Sequence, residues 1–227
     1  MIPKKIYQTW FTKDLPYEVK CYLQQMLSLN PSYDHELYDD EDIFYFIKEH
    51  YGKDILSTYE KLAIGAAKSD FWRYLVLYKN GGIYLDLDSC ITNDLNLLIK
   101  DEDKAIISRE RNPDTFVQWC LMFEKNRPVL EKTIEKCIYN IDNRVSENIL
   151  YLTGPQVYSD AIRDVTQDCG INLYQAPDDT ILGCRFYGFD YENFCIFKHN
   201  QSHFLNLRKP DWREESKCRS VFTDTNN

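Results

Sequence analysis

Two aspartates separated by a single residue are the strongest candidates for chemistry in this sequence. Asp86 and Asp88 stand in the run Ile83-Tyr84-Leu85-Asp86-Leu87-Asp88. In a strand, alternate side chains face the same way, so the two carboxylates would lie about 7 Å apart on the face of Tyr84. A bound Mg²⁺ or Mn²⁺ would offset their repulsion and keep coordination positions for substrate phosphates. Two solvated acids at a strand end are the competing interpretation, and the apolar neighbours favour a strand that enters the core.

A second pair of charged residues lies on a predicted helix. Asp70 and Arg73 stand three positions apart within residues 68–74, and this spacing places them on one helical face. They could form a surface ion pair that contributes little to stability. If the helix instead faces the acidic strand, Arg73 can bind phosphate or sugar oxygens, and Asp70 can accept hydrogen bonds from sugar hydroxyls. The spacing alone leaves both interpretations open.

Two later segments contain further candidates. Thr153-Gly154-Pro155 precedes a predicted helix, and it fits an ordinary helix start as well as a substrate loop. His199, followed by His203 and Trp212, could complete a metal site or contact phosphate. A lone histidine is more often structural, so its residue type does not decide between these roles.

The elements predicted around these residues alternate between helices and strands. Short apolar runs predict strands at residues 5–9, 33–38, 83–88, 105–108 and 196–198. Apolar residues at helical spacing predict helices at residues 17–29, 39–51, 58–79, 128–139 and 155–166. The turn Asn80-Gly81-Gly82 joins the longest helix to the acidic strand. This succession of helix, tight glycine turn and strand is typical of an α/β domain.

Composition indicates one folded domain that does not bind nucleic acid. The chain has 227 residues, of which 44% are hydrophobic and 15% aromatic, and this excludes intrinsic disorder. Its 27 basic and 36 acidic residues give a net charge of −9, whereas a nucleic-acid-binding protein needs a basic face. A divalent cation could still neutralise the phosphates of a bound nucleotide. The polar residues 214–227 are expected to form a peripheral tail.

Patterns that indicate other locations and other enzymes are missing from the sequence. No apolar run is long enough for a transmembrane segment, and the N-terminus lacks the apolar run of a secretory signal. We therefore expect a cytoplasmic protein, or one whose leader has been removed, with its eight cysteines reduced. The sequence has no G-x-G-x-x-G, no complete P-loop and no G-x-S-x-G.

Three segments taken together resemble glycosyltransferase family 32. They are residues 2–10 followed by Asn30-Pro31, the string Lys68-Ser69-Asp70-x-x-Arg73-Tyr74, and the string Gly81-Gly82-Ile83-Tyr84-Leu85-Asp86-Leu87-Asp88. This family contains the yeast initiating mannosyltransferase and bacterial capsular sugar transferases. The glucosyltransferase domains of large clostridial toxins carry the same combined string. The likeness covers residues 1–100 well and continues weakly through Thr153-Gly154-Pro155 and residues 199–212.

The resemblance implies a fold and an activity. The expected fold is of GT-A type, a Rossmann-like central mixed sheet flanked by helices in a single domain over residues 1–213. The expected enzyme is a metal-dependent glycosyltransferase that moves a hexose from a UDP- or GDP-sugar to a glycan, a glycoconjugate or another hydroxyl acceptor. Retention of the anomeric configuration is expected from the family alone. The implied cofactor is Mn²⁺ or Mg²⁺, which would bridge the acidic strand and the diphosphate.

The resemblance also assigns roles to individual residues. Asp86 and Asp88 would hold the metal, and His199 would be a third metal ligand. Family members usually end in a His-x-x-Gly-Ser-Trp-like motif, whereas this chain reads Lys198-His199-Asn200-Gln201-Ser202-His203, which leaves the third contact open. The nucleotide sugar would be bound by Thr9, Trp10, Asp70, Arg73, Tyr84, Asp86 and Leu87. Four residues are expected to carry catalysis: Asp70, Arg73, Asp86 and Asp88. Together they would stabilise the departing diphosphate and hold the sugar.

Three other interpretations of the same residues stay open. A phosphotransfer or nucleotide-hydrolysing enzyme could use the two aspartates on Mg²⁺, although the P-loop is missing. A non-catalytic carbohydrate-binding module would explain the many aromatic residues but not two facing aspartates. An inactive relative would keep the scaffold alone, and the intact set of Asp70, Arg73, Asp86 and Asp88 argues against it.

Overall fold

The computed structural model describes residues 1–112, 115–167, 180–207 and 211–223. The helices and strands within these ranges follow one another in a mixed order. They are β1 (Lys5–Thr9), α1 (Tyr17–Leu29), β2 (Asp34–Tyr38), α2 (Asp40–His50), α3 (Gly52–Glu60), α4 (Gly65–Asn80), β3 (Gly82–Leu85), β4 (Cys90–Ile91), a short 3₁₀ helix (Leu95–Leu97), β5 (Ala105–Arg109), β6 (Cys120–Phe123), α5 (Pro128–Asp142), α6 (Ile149–Leu152), α7 (Pro155–Thr166), β7 (Thr180–Ile181), β8 (Cys184–Phe189), β9 (Cys195–Ile196), α8 (His203–Asn206) and α9 (Trp212–Cys218).

Seven of these strands form one mixed sheet in the order β2-β1-β3-β6-β5-β8-β7. β1 pairs in parallel with β2 and β3, and β5 pairs in parallel with β8. β6 is antiparallel to both β3 and β5, and β4 and β9 form a separate two-stranded sheet. The ends of β1, β3 and β5 therefore meet the start of β6 at one edge of the sheet. Open α/β sheets bind ligands at such an edge.

The sheet lies between two hydrophobic layers. On β3, Tyr84 belongs to one layer, and Ile83 and Leu85 belong to the other. The layer of Tyr84 contains buried residues of α2 to α7, and the opposite layer contains those of α1 and α8. The result is a helix–sheet–helix sandwich, which confirms the predicted fold class.

A glycine turn places α4 and β3 side by side. Gly81 and Gly82 have positive φ angles of 69° and 113°, which L side chains rarely adopt. A Cβ atom on Gly81 would lie 2.8 Å from the Lys125 backbone nitrogen, and one on Gly82 would lie 2.8 Å from the Lys5 carbonyl oxygen. Glycine at both positions therefore lets β3 enter the sheet directly after α4.

The structure corrects two of the predicted elements. The helix predicted at residues 58–79 is two helices, because α3 ends at Glu60 and α4 begins at Gly65. The chain between them bonds to a distant segment: the Ala63 amide donates to the Val221 carbonyl at 2.7 Å. The strand predicted at residues 83–88 ends at Leu85, since the Ser89 amide closes a turn onto the Asp86 carbonyl at 2.9 Å.

The C-terminal segment contributes to the core. Val221 and Phe222 are only 1% and 3% exposed, and Phe222 forms an isolated bridge with Leu62. The expectation of a peripheral tail is therefore wrong at these two residues, whose apolar side chains cover the break between α3 and α4. The domain boundary at residue 213 stays a prediction, and residues 224–227 lie outside the described ranges.

Candidate active site

A cavity of about 590 Å³ opens at the edge where β1, β3 and β5 end. This volume lies within the range of small-molecule sites in proteins. Eight of the residues predicted to bind donor or metal line it together: Thr9, Trp10, Asp70, Arg73, Tyr84, Asp86, Leu87 and Asp88. The structure thus brings together residues from β1, α4, β3 and the turn that follows β3.

Arg73 lies between two carboxylates inside this cavity. Its Nη2 is 2.9 Å from Asp70 Oδ1 and 3.0 Å from Asp86 Oδ1, and its side chain is only 4% exposed. The guanidinium also packs over the Tyr84 ring, 4.4 Å from the ring centre. The interpretation of Asp70 and Arg73 as a surface ion pair is therefore wrong, because α4 turns both residues towards the acidic end of β3.

The remaining donors of Arg73 are also engaged by the protein. Nη1 donates to the carbonyl of Gln118 at 2.9 Å and to its Oε1 at 3.0 Å, and Nε donates to the Ser69 carbonyl at 3.4 Å. Arg73 therefore holds the carboxylates and the neighbouring strand in place with the same groups that were expected to reach phosphate oxygens. Its position indicates an organising role within the cavity.

Gln118 is a residue of this site that sequence reasoning missed. Its Nε2 donates to Asp70 Oδ1 at 2.9 Å and to the Tyr74 hydroxyl at 2.8 Å. The Thr153 hydroxyl donates to Asp70 Oδ2 at 3.3 Å, which brings the Thr153-Gly154-Pro155 segment to the site as well. The available signal for Gln118 was a polar residue at the start of an apolar run, in Gln118-Trp119-Cys120-Leu121.

The two aspartates of the acidic string have different surroundings. Asp86 accepts a hydrogen bond from the Tyr84 hydroxyl at 2.8 Å in addition to its ion pair with Arg73. Asp88 lies in the turn, and it accepts a 3.2 Å hydrogen bond from Ser89 Oγ. Tyr84 and Asp86 share one face, as the strand pattern predicts, whereas Asp88 follows the geometry of the turn.

Burial raises the pKa values of the carboxyl groups of Asp70, Asp86 and Asp88. It raises the pKa of Asp70 to about 6, against the opposing effects of Arg73 and Gln118. It likewise raises the pKa of Asp88 to about 6, and the neighbouring Asp86 contributes to the rise. The pKa of Asp86 is also raised by burial, while Arg73 acts in the opposite direction. All three carboxyl groups therefore keep their protons to a higher pH than they would in water.

Asp88 fits a cation-binding role. Within residues 1–112, 115–167, 180–207 and 211–223, its carboxylate has no ion-pair partner, although Lys198 is near enough to lower its pKa. A partly buried carboxylate without a cation is stabilised when one binds. In the same ranges no three His, Cys, Asp or Glu side chains form a group that could hold a metal ion. Mg²⁺ sites often need only one or two carboxylates with substrate phosphates and water.

His199 is not among the residues that line the cavity. Its backbone amide donates to the Asp88 carbonyl at 2.7 Å, but its ring packs on Tyr22, with 4.6 Å between the ring centres. Its Nδ1 accepts a hydrogen bond from the Gln201 amide at 3.3 Å. Within the described ranges, the structure therefore does not group His199 with Asp86 and Asp88 as a third metal ligand, because its ring contacts Tyr22 and the Gln201 amide instead. Lys198 lines the cavity instead.

Six of the eight predicted residues that line this cavity lie in a segment that matches a known sequence family. Residues 16–105 match the glycosyltransferase sugar-binding region containing a DXD motif. Over this segment the chain is similar to DXD-containing glycosyltransferases. The string Asp86-Leu87-Asp88 lies inside the matched residues, so the resemblance predicted from the motifs is confirmed.

Relatives of this glycosyltransferase occur in a virus and in fungi. The chain is 26% identical to an uncharacterized glycosyltransferase, L373, of Acanthamoeba polyphaga mimivirus, over 98% of this chain and 88% of that protein. It is 25% identical to the initiation-specific alpha-1,6-mannosyltransferase of Candida albicans, over 78% of this chain and 55% of that protein. The chain therefore spans about half the length of the fungal enzyme.

Solved structures of toxin glycosyltransferases share the fold. PaToxG glycosyltransferase superposes with a TM-score of 0.61 at 22% identity, covering 74% of this chain and 72% of that one. The UDP-bound glycosyltransferase domain of the YGT toxin superposes with a TM-score of 0.55 at 12% identity, covering 89% and 82%. These similarities confirm the predicted GT-A fold. Among the described residues, no helix has the length and apolar character needed to cross a bilayer, and the cytoplasmic location stays a prediction.

Proposed function

We propose that this glycosyltransferase transfers a hexose from a UDP- or GDP-sugar to a hydroxyl group of a glycan or glycoconjugate, with retention of configuration. One observation carries the proposal. The buried Arg73 binds Asp70 and Asp86 at 2.9 and 3.0 Å beside Asp88, whose carboxylate is available for a cation. This arrangement suits a diphosphate and a sugar bound together. The carboxylates can accept hydrogen bonds from sugar hydroxyls, and a cation bound at Asp88 can offset the charge of the diphosphate.

The transfer breaks one bond and forms another at the anomeric carbon. The bond from that carbon to the diphosphate oxygen breaks, and its electron pair stays on the diphosphate. The acceptor oxygen forms the new bond, and its proton passes to the departing phosphate oxygen. Asp70 holds hydroxyls of the donor sugar, while Arg73 fixes the carboxylates of Asp70 and Asp86 in their positions. The reaction needs no covalent enzyme nucleophile.

Asp88 and Asp86 are the residues that would hold Mn²⁺ or Mg²⁺ in this reaction. The ion, when bound, supplies positive charge that stabilises the developing charge on the diphosphate. The partly buried carboxylate of Asp88, which has no ion-pair partner in the described part of the chain, supports this assignment. His199 remains outside the proposed ligand set, because its ring packs on Tyr22.

The nucleotide base is proposed to lie beside Trp10. Trp10 follows β1 and lines the cavity, and its buried indole Nε1 has no hydrogen-bond partner within the described part of the chain. A bound base or ribose can satisfy this donor, since a buried unpaired donor lowers stability. Thr9 and Leu87 complete the donor-binding side, and the Thr9 hydroxyl donates to the Tyr38 carbonyl at 2.9 Å.

A thermal-shift screen tests the proposal directly. The protein is heated with UDP-glucose, UDP-galactose, GDP-mannose, ATP or free hexoses, each with and without Mn²⁺. A sugar nucleotide present at a hundred times its Kd should raise the melting temperature by roughly 5–10 °C. We expect this shift with one of the sugar nucleotides, with Mn²⁺ present, and a smaller shift for Asp88→Asn. Stabilisation by ATP alone would favour a phosphotransfer enzyme, and stabilisation by free sugar alone would favour a carbohydrate-binding module.

A further inference from the structure

Two stacked aromatic rings line the cavity near the acidic string. The rings of Trp119 and Phe197 lie 5.2 Å apart between centres, with 26° between their planes. Trp119 is 6% exposed, whereas Phe197 is 46% exposed. The buried indole thus supports a phenyl ring that keeps nearly half of its surface open to the cavity and to solvent.

Both rings are attached to the backbone around the acidic string. The Trp119 carbonyl accepts a hydrogen bond from the Asp86 amide at 2.8 Å. Phe197 follows β9, which pairs with β4 directly after the turn that contains Asp88. Their distance from the two carboxylates is therefore set by strand pairing, and a ligand on Phe197 would lie next to the proposed reacting centre.

The strand order separates this aromatic pair from the proposed base site. Trp10 follows β1, which lies on one side of β3, whereas Trp119 precedes β6, which lies on the other side. Glu110 follows β5, one strand further in the same direction. Adjacent strands are spaced by about 4.8 Å, so the ends of β1 and β5 lie roughly 14 Å apart. A second ligand can therefore bind on the β6–β5 side without displacing a base at Trp10.

Glu110 adds a polar group to the β6–β5 side of the cavity. Its Oε2 accepts a 2.6 Å hydrogen bond from the Thr115 hydroxyl. Its Oε1 has no hydrogen-bond partner among the residues that the structure describes, and burial raises the pKa of this carboxyl group. A hydroxyl group of a ligand is a suitable donor for the open oxygen, because the partly buried carboxylate gains from a hydrogen bond.

We propose that Phe197, supported by Trp119, and Glu110 form the subsite for the acceptor, and that the acceptor presents a pyranose ring there. The inference rests on the proposed function. The C–H groups on one face of a pyranose are apolar and pack on the face of an aromatic ring, while its hydroxyls bind carboxylates. The ammonium of Lys198 lies 5.6 Å from the centre of the Phe197 ring and is flexible enough to move aside for a sugar.

Saturation-transfer difference NMR tests the subsite without requiring turnover. The probes are methyl α-D-mannopyranoside and methyl β-D-glucopyranoside, each with GDP or UDP and Mg²⁺, which is diamagnetic and leaves the proton signals of the probes sharp. We expect transfer to the ring protons of at least one probe for the wild-type chain and for Phe197→Tyr. We expect at least a tenfold weaker signal for Phe197→Ala and for Glu110→Ala. The matched controls are Phe189→Ala, which removes a phenyl ring that is 44% exposed, and Glu102→Ala, which removes an exposed carboxylate.

The remaining outcomes contradict the subsite. No signal from either pyranoside with the wild-type chain would overturn it, as would equal signals from Phe197→Ala and Phe189→Ala. The sugar-nucleotide screen reports separately on the proposed function, so failure of the subsite can be distinguished from failure of the proposed function.

Where transfer is measurable, Phe197→Ala should raise the KM for the pyranoside at least tenfold and the KM for the sugar nucleotide less than twofold. A larger effect on the sugar nucleotide would assign the aromatic pair to the donor.

Discussion

The guanidinium of Arg73 and the carboxylate of Asp86 form an ion pair of 3.0 Å that joins the middle of α4 to the residue after β3. Arg73 binds Asp70 on the same helix at 2.9 Å, so one cation compensates two largely buried acids. The charge balance of the cavity therefore depends on a residue whose donors all have partners within the protein. This relationship makes Arg73 important for folding as well as for function.

We expect Arg73→Ala to lower the free energy of unfolding by about 3–5 kcal/mol, because it leaves buried carboxylates without their cation. Adding Asp70→Asn to that variant should restore part of the loss, since one of the uncompensated charges is removed. Urea unfolding of the wild type, both single variants and the double variant measures the coupling. Strictly additive losses would show that Asp70 and Arg73 do not depend on each other.

Asp88→Asn should abolish sugar transfer while leaving the fold intact. The substitution keeps the shape of the side chain and removes the charge that is proposed to bind the cation. We expect turnover to fall at least about 100-fold, comparable to the loss of one transition-state stabilising group elsewhere. Turnover with Mn²⁺ and the melting temperature are measured together, with the exposed Asp101→Asn as control. Near-normal turnover by folded Asp88→Asn would contradict the role of Asp88.

Chelation should have a reversible effect on activity. EDTA is expected to remove transfer activity, and added Mn²⁺ is expected to restore it, because Asp88 has no ion-pair partner among the described residues and the bound ion would supply one. Isothermal calorimetry with Mn²⁺ and the nucleoside diphosphate should show metal-dependent binding that is weaker for Asp88→Asn. Transfer that resists EDTA would count against a metal mechanism.

Local sequence signals predicted several elements with their bounds. α1 and α7 coincide with predicted helices 17–29 and 155–166, because prolines mark one end of each and apolar spacing marks the interior. β6 was missed, since Cys120–Phe123 is a continuous apolar run whose pattern does not separate a buried strand from a helix. The break between α3 and α4 was also missed, because its backbone partners Val221 and Thr223 come from the far end of the chain.

In the site, too, short sequence segments predicted some residues, whereas residues brought in by pairing of distant strands were not predicted. Asp70, Arg73 and the acidic string could be predicted from spacing within short segments, and the structure places them in one cavity. Gln118 could not, because its role depends on the pairing of β6 with β3, which brings it beside Asp70. The same pairing carries Trp119 to the cavity. The packing of the His199 ring on Tyr22 joins segments far apart in the sequence, and no local pattern indicates it.

Phe222→Ala should destabilise the protein by about 3–5 kcal/mol, which is typical for loss of a buried phenyl ring. Phe222 is 3% exposed, and its ring also packs against the Arg144 guanidinium at 4.9 Å. Urea or thermal unfolding measures the loss. Tyr45→Ala, at a residue that is 56% exposed, is the control and should change stability by less than about 1 kcal/mol. Equal effects of the two substitutions would show that the C-terminal segment is not part of the folded core.

His35 should make stability depend on pH. Burial lowers its pKa below the ordinary 6.5, and its Nε2 lies 2.9 Å from Gln8 Oε1 on the neighbouring strand. As pH falls through about 6.5, the unfolded chain binds a proton at this histidine before the folded chain does. The contribution of His35 to the free energy of unfolding is therefore present above about pH 6.5 and is lost as pH falls towards the lower pKa of the folded state.

The raised pKa values of Asp70 and Asp88 act in the opposite direction, so the wild type must be compared with His35→Gln. Between about pH 7.5 and 5.0, urea unfolding should show a larger decrease for the wild type than for His35→Gln, with His50→Gln behaving like the wild type. Parallel pH profiles for wild type and His35→Gln would exclude His35 as the source of the dependence.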